Sequence, residues 1–139
     1  MTISEINTTL KDLKRTKEIL HWKNKIVDMK VIQDLKKMND PVENNFFVDI
    51  ITLFLSEIPG LMKDILDSYN QSDFVKMSGV AHSLKGASLN LGAVCLADLC
   101  ASIETSAKEN NISKIREAMM HLVQVCKLTS YEFKKIITT

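Results

Sequence analysis

Ala81-His82-Ser83-Leu84-Lys85-Gly86-Ala87-Ser88 is the stretch on which the reading of this chain turns. Around it, apolar or small residues recur at Phe74, Met77, Ala81, Leu84, Ser88 and Leu91. Steps of three and four are the stripe of an amphipathic helix. Ser72 or Asp73 caps its start, and Gly92 ends it in a left-handed turn. The buried stripe runs through Ala81 and Leu84, so His82 is expected to point at solvent. With about 3.6 residues per turn, Gly79 and Gly86 lie one turn either side of it, with Lys85 and Ser78 beside it.

Two glycines inside one helix each cost roughly 1 kcal/mol against alanine. A purely structural helix gains nothing from them here; they make sense if something large must approach the imidazole. Lys85 adds a positive charge about one turn from the ring, which suits an anion held there. The plainer reading is an ordinary surface histidine on a bundle helix, and the glycines and the lysine weigh against it.

The string His82-Ser83-Leu84-Lys85-Gly86-Ala87-Ser88, followed by Leu91-Gly92-Ala93, resembles the signature of the histidine-containing phosphotransfer (HPt) domain of multistep phosphorelays. Phe54-Leu55-Ser56-Glu57-Ile58-Pro59 and the helix start at Asp73 also fit. The likeness runs from about Val27 to the C-terminus, so the chain divides into an N-terminal helix or tail over 1–26 and an HPt-like domain over 27–139. The resemblance implies an all-α fold, an antiparallel up-and-down four-helix bundle whose exposed histidine carries a phosphoryl group.

Composition agrees with that class. The chain has 139 residues, one domain's length, and is 45% hydrophobic and 25% charged, which reads as globular rather than disordered. A net charge of +1 argues against a nucleic-acid binder. Cys95, Cys100 and Cys126 include no Cys-x-x-Cys pair and read as reduced thiols in a cytoplasmic protein. Cys100 and Cys126 fall on apolar stripes as small hydrophobes, and a metal site joining them to His21 or His121 is a minor alternative. The N-terminus lacks the pattern of a signal peptide, and charges interrupt every apolar run too early for a membrane span.

In chain order, Ile3, Ile6, Leu10, Leu13 and Leu20 form a narrow seam over 3–20, followed by a connector holding Trp22. Asp28 caps a short helix to Met38 with Val31, Leu35 and Met38 inward. Asp40-Pro41-Val42-Glu43 starts a long helix by cap, first-turn proline and capping box. That helix turns Phe47, Ile50, Ile51, Phe54, Ile58, Leu61, Met62, Ile65 and Tyr69 to one face, and Pro59 is expected to kink or split it near Ser56-Glu57. The helix from Val94 to about Glu109 places Leu96, Leu99, Cys100, Ile103 and Ala107 inward. After a turn at Asn110-Asn111, Ser113 caps a last helix with Ile115, Met119, Leu122, Cys126, Thr129, Phe133 and Ile136 inward. Short turns between helices favour antiparallel neighbours.

Under the resemblance, His82 is the phosphoacceptor. A neutral imidazole is a good nucleophile for a phosphoryl group near neutral pH. Phosphoryl transfer needs an in-line approach and neutralised equatorial oxygens, with little covalent help from the protein. Lys85 offsets charge on those oxygens, Gly86 and Gly79 admit the partner's loops, and Ser83 or Ser88 donates a hydrogen bond. The partners implied are receiver domains of response regulators or of a hybrid histidine kinase. The receiver supplies the magnesium ion and the carboxylate, and this chain, expected as a monomer, binds no cofactor or metal. A docking rim is expected at Val75, Gly79, Ser83 and Leu89, because Val75 and Leu89 lie two turns either side of His82 on its own face. The exposed side of the short helix, Met29 and Ile32, extends it. No glycine-rich phosphate loop is present, so the chain reads as a stoichiometric carrier rather than an ATP-dependent kinase. Two other readings compete. A histidine-kinase dimerisation pair places an acidic residue after the histidine, where Ser83 stands, and a docking bundle without phosphate needs no histidine.

Overall fold

The computed structural model describes residues 26–38 and 46–138. Within them the chain forms five helices and no strand: α1 Met29–Lys36, α2 Phe46–Asn70, α3 Phe74–Asn90, α4 Val94–Lys108 and α5 Ile112–Ile137. The expected N-terminal seam, Trp22 and the Asp40-Pro41 helix start lie outside the described residues.

Helices α2 to α5 close into a ring. α3 packs on α4, α4 on α5 and α2 on both α3 and α5, with the α3–α4 interface the most extensive. Turns of a few residues make sequential helices antiparallel, which is the up-and-down four-helix bundle. Burial follows the stripes read from the sequence. Met77, Ala81, Leu84 and Ser88 of α3 are inaccessible, as are Leu96, Cys100 and Ile103 of α4 and Ile115, Met119, Leu122 and Phe133 of α5. Phe133 meets Phe54 of α2 edge to face at 5.6 Å, tying the two longest helices together. The three cysteines are buried and free, and burial pushes the Cys126 thiol up to about 12, so it serves as a small hydrophobe rather than a nucleophile.

The ends of α3 are set by side-chain and backbone chemistry. Asp73, rather than Ser72, is its cap: Asp73 Oδ1 accepts from the Lys76 amide at 3.1 Å. At the other end Gly92 has φ +77°, and the Ala93 amide returns to the Ser88 carbonyl at 2.8 Å. A β-carbon on Gly92 would lie 2.9 Å from Val31 Cβ and 3.0 Å from the Asp28 carbonyl, so glycine is required by both torsion and space. The Asp28 amide donates to the Gly92 carbonyl at 2.7 Å, and Asp28 Oδ1 caps α1 through the Lys30 amide. These bonds seat α1 over the α3–α4 turn.

Four expectations are corrected. Ile32 is not on an exposed rim; it is 0% exposed, because Ile32 and Leu35, three apart, form the inward edge of α1. Met38 is exposed rather than inward, since α1 ends at Lys36 and helical spacing no longer applies there. α2 is not split at Pro59 but runs unbroken from Phe46 to Asn70. Pro59 is exposed, where water can meet the carbonyl of Leu55 that lacks its amide partner. α5 is capped by Asn111, not Ser113: Asn110 takes φ +53° and leaves Asn111 Oδ1 to accept from the Lys114 amide at 3.2 Å.

Candidate functional site

His82 sits midway along α3 on the side away from Ala81 and Leu84, and 69% of its side chain is exposed. The ring is nevertheless held. Its Nδ1 lies 2.7 Å from Oε2 of Glu104, which α4 brings alongside although 22 residues separate the two. Lys85, one turn on from His82, donates from Nζ to the other carboxylate oxygen, Oε1, at 2.7 Å. Lys108, one turn on from Glu104, places its Nζ 4.0 Å from Oε2.

Only 9% of the Glu104 side chain is exposed, so an ionised carboxylate there needs partners. The Lys85 hydrogen bond holds the Glu104 carboxyl below its ordinary range. Burial opposes this, and the His82 hydrogen bond and the charges of Lys85 and Lys108 reinforce it. An ionised carboxylate only accepts hydrogen bonds, so His82 Nδ1 carries the proton. With the proton on Nδ1, the ring's free lone pair is on Nε2. This is the tautomer a nucleophilic Nε2 requires.

Glu104 was not singled out from the sequence, yet a signal for it is present. It lies four residues after Cys100 and three before Ala107, both on the inward stripe of its helix. A carboxylate on an inward stripe calls for a cation from a neighbouring helix.

The other expected residues divide clearly. Lys85 is beside His82, but only 26% exposed and already paired with Glu104. Its ammonium has three donors, and that bond uses one. Gly79 is exposed and Gly86 half-buried, and a β-carbon at either would meet nothing within 4 Å. This chain's own packing therefore does not demand glycine at either position. Ser83 is exposed, with its hydroxyl donating to the Gly79 carbonyl at 3.2 Å. Ser88 is fully buried, which removes it from any surface reaction. Val75 is 88% exposed, and Leu89 and Met29 are exposed, as a rim requires; Ile32 is core.

His82 stands on an exposed helix face. The groove between α4 and α5 that holds His121 is lined by Thr105, Glu109 and Lys114 and includes neither His82 nor Lys85. Among the described residues, no group of three or more His, Cys, Asp or Glu could hold a metal ion, and no helix is long and apolar enough to cross a membrane.

The described residues thus form a four-helix bundle with an oriented histidine, His82, on its outer face. The model of the Hpt domain family matches residues 49–130, more than half of the chain, and the chain belongs to that family. Histidine-containing phosphotransfer protein 1 of Arabidopsis thaliana is 25% identical over 101 residues, which is 71% of this chain and 65% of that protein. Histidine-containing phosphotransfer protein 2 of the same plant is 28% identical over 81 residues, 56% and 52% of the two chains. The chain therefore spans less than two thirds of the length of either relative. Among solved structures, histidine-containing phosphotransfer protein B from Pseudomonas aeruginosa matches with a TM-score of 0.73 at 21% identity, covering 81% of this chain and 94% of that one. A putative histidine-containing phosphotransfer protein from rice matches with a TM-score of 0.72 at 19% identity, covering 92% of each. Those likenesses establish the fold.

Proposed function

We propose that this protein is a phosphorelay intermediate: His82 accepts a phosphoryl group from the aspartyl phosphate of one receiver domain and passes it to another. The observation that carries this reading is the 2.7 Å bond from His82 Nδ1–H to Glu104, which leaves Nε2 as the nucleophile. Lys85 uses its remaining donors on the equatorial phosphoryl oxygens. The receiver contributes the magnesium ion and the aspartate, and this chain supplies the oriented imidazole. Transfer is then a matter of positioning and charge, as phosphoryl chemistry requires.

Partner docking fits the face around His82. Val75 and Leu89 are exposed on the same helix, Met29 lies exposed on α1, and Gly79 and Gly86 leave open space beside the ring. A modest apolar contact of this kind suits a partner that must bind and leave. The protein acts as a monomeric cytoplasmic carrier, without an ATP site of its own.

The test is a mixing experiment with a phosphorylated receiver domain. Label should appear on His82 of the wild type and on no residue of a folded His82→Gln variant. Label retained by that variant, on His121 or elsewhere, would overturn the assignment.

A further inference from the structure

We propose that Glu104 sets the lability of the phosphorylated carrier, by keeping the phosphoimidazole of His82 protonated on Nδ1. The inference rests on the reading of His82 as the phosphoacceptor and concerns what its neighbour does once the phosphoryl group has arrived.

The chemistry balances without a general base. When Nε2 attacks, its lone pair forms the N–P bond, the P–O bond to the donor aspartate breaks, and that carboxylate leaves with the bonding pair. His82 loses no proton, since the attacking Nε2 carries none and the ring's one N–H is on Nδ1, facing Glu104 Oε2 at 2.7 Å. The product ring is an N-phosphoimidazolium with a charge of its own. In the onward step an attacking carboxylate forms a new P–O bond, the N–P bond breaks and its electron pair returns to Nε2. A ring still protonated on Nδ1 leaves as neutral imidazole. A ring that had lost that proton would have to leave as an imidazolate anion, a far poorer leaving group. Whatever holds the Nδ1 proton therefore keeps the phosphoryl group transferable.

Glu104 is built to hold it. It is ionised, nearly buried and in direct contact with Nδ1. A neutral acceptor would orient the ring equally well, but only a charge adds stability to the imidazolium over the neutral ring. The other groups that face the cluster come from α3 and α4. Lys85 and Lys108 oppose the effect, Lys85 from the second carboxylate oxygen and Lys108 from 4.0 Å, neither as close to the carboxylate's ring-facing side as Nδ1 itself. Cys100, whose thiol burial holds protonated, adds no charge.

The test compares wild type with Glu104→Gln, whose amide oxygen can still accept from Nδ1 but carries no charge. Both are labelled from a phosphorylated receiver, and loss of phosphate from His82 is followed across pH. In the wild type, loss should slow with rising pH at a midpoint above that of a short phosphohistidine peptide. In Glu104→Gln that midpoint should fall by about one to three pH units, the range for a charge in contact. Halfway between the two midpoints phosphohistidine should then persist roughly three- to thirtyfold longer in the variant. Coincident midpoints for variant and wild type would overturn the inference. If the variant does not fold, the comparison of wild type with the peptide decides, and equal midpoints there overturn it. Failure of wild-type His82 to take up any phosphate would instead refute the phosphoacceptor reading itself.

Discussion

Glu104 Oε2 lies 2.7 Å from His82 Nδ1, joining an exposed histidine of α3 to the nearly buried carboxylate of α4. The same carboxylate binds Lys85 through Oε1, so the histidine and the lysine that stand one turn apart are held by one anion. The site is a three-residue cluster rather than a histidine with a free lysine beside it, and several outcomes depend on that.

Lys85→Ala should slow transfer from a phosphorylated receiver and also destabilise the fold. Read from the sequence, Lys85 is a surface cation whose loss leaves the melting temperature nearly unchanged. Its bond to a buried carboxylate changes that expectation, since removing it takes the principal partner from Glu104. Because His82 and Lys108 remain nearby, the cost should be about 1–2 kcal/mol rather than that of a wholly orphaned charge. Denaturant titration measures it, and an unchanged midpoint would mean that the pair contributes nothing.

Glu104→Gln should alter how stability depends on acid. The folded protein holds this carboxyl below its ordinary value of 4.5, chiefly through the Lys85 hydrogen bond. A depressed carboxyl contributes stability above the unfolded value and loses it as pH falls through the folded one. Below about pH 4.5 the wild type should therefore lose stability more steeply than the variant. Denaturant titrations at a series of acid pH values give the two slopes, and parallel slopes would contradict the linkage.

Gly86→Ala should separate stability from function. A β-carbon there meets nothing within 4 Å, and alanine is a better helix former, so the fold should gain about 0.5–1 kcal/mol. Transfer from a receiver should nonetheless slow, because the added methyl stands one turn from His82 where the partner must approach. A variant that is more stable and transfers at the wild-type rate would remove Gly86 from the contact surface.

Leu89→Asp should leave helix content and melting behaviour intact, since Leu89 is exposed. Binding to a receiver domain, measured by titration calorimetry, should weaken by roughly 1 kcal/mol or more, the scale of an interface anchor. Unaltered affinity would place the docking face elsewhere on the bundle.

Ile32→Ala should behave in the opposite way. Ile32 is fully buried in the core cluster, so its truncation should cost about 2–5 kcal/mol of stability. Any loss of receiver binding should be restored under conditions where the variant is fully folded. Normal stability with weakened binding would return Ile32 to the rim.

Much of this protein was legible in the sequence because helical periodicity is local. The spacing of Met77, Ala81, Leu84 and Ser88 already determines which face of α3 is buried and leaves His82 outward. Asp73 and Gly92 mark the ends of that helix through caps and torsions involving only near neighbours. Local spacing alone misled where an element ended sooner than its pattern, as at Met38, or where a short helix offered two candidate faces, as at Ile32. What only the tertiary structure decided is the meeting of His82 and Lys85 with Glu104. The rotation of α4 against α3 is set by the packing of whole apolar stripes, and no spacing within either helix specifies which carboxylate arrives beside which nitrogen.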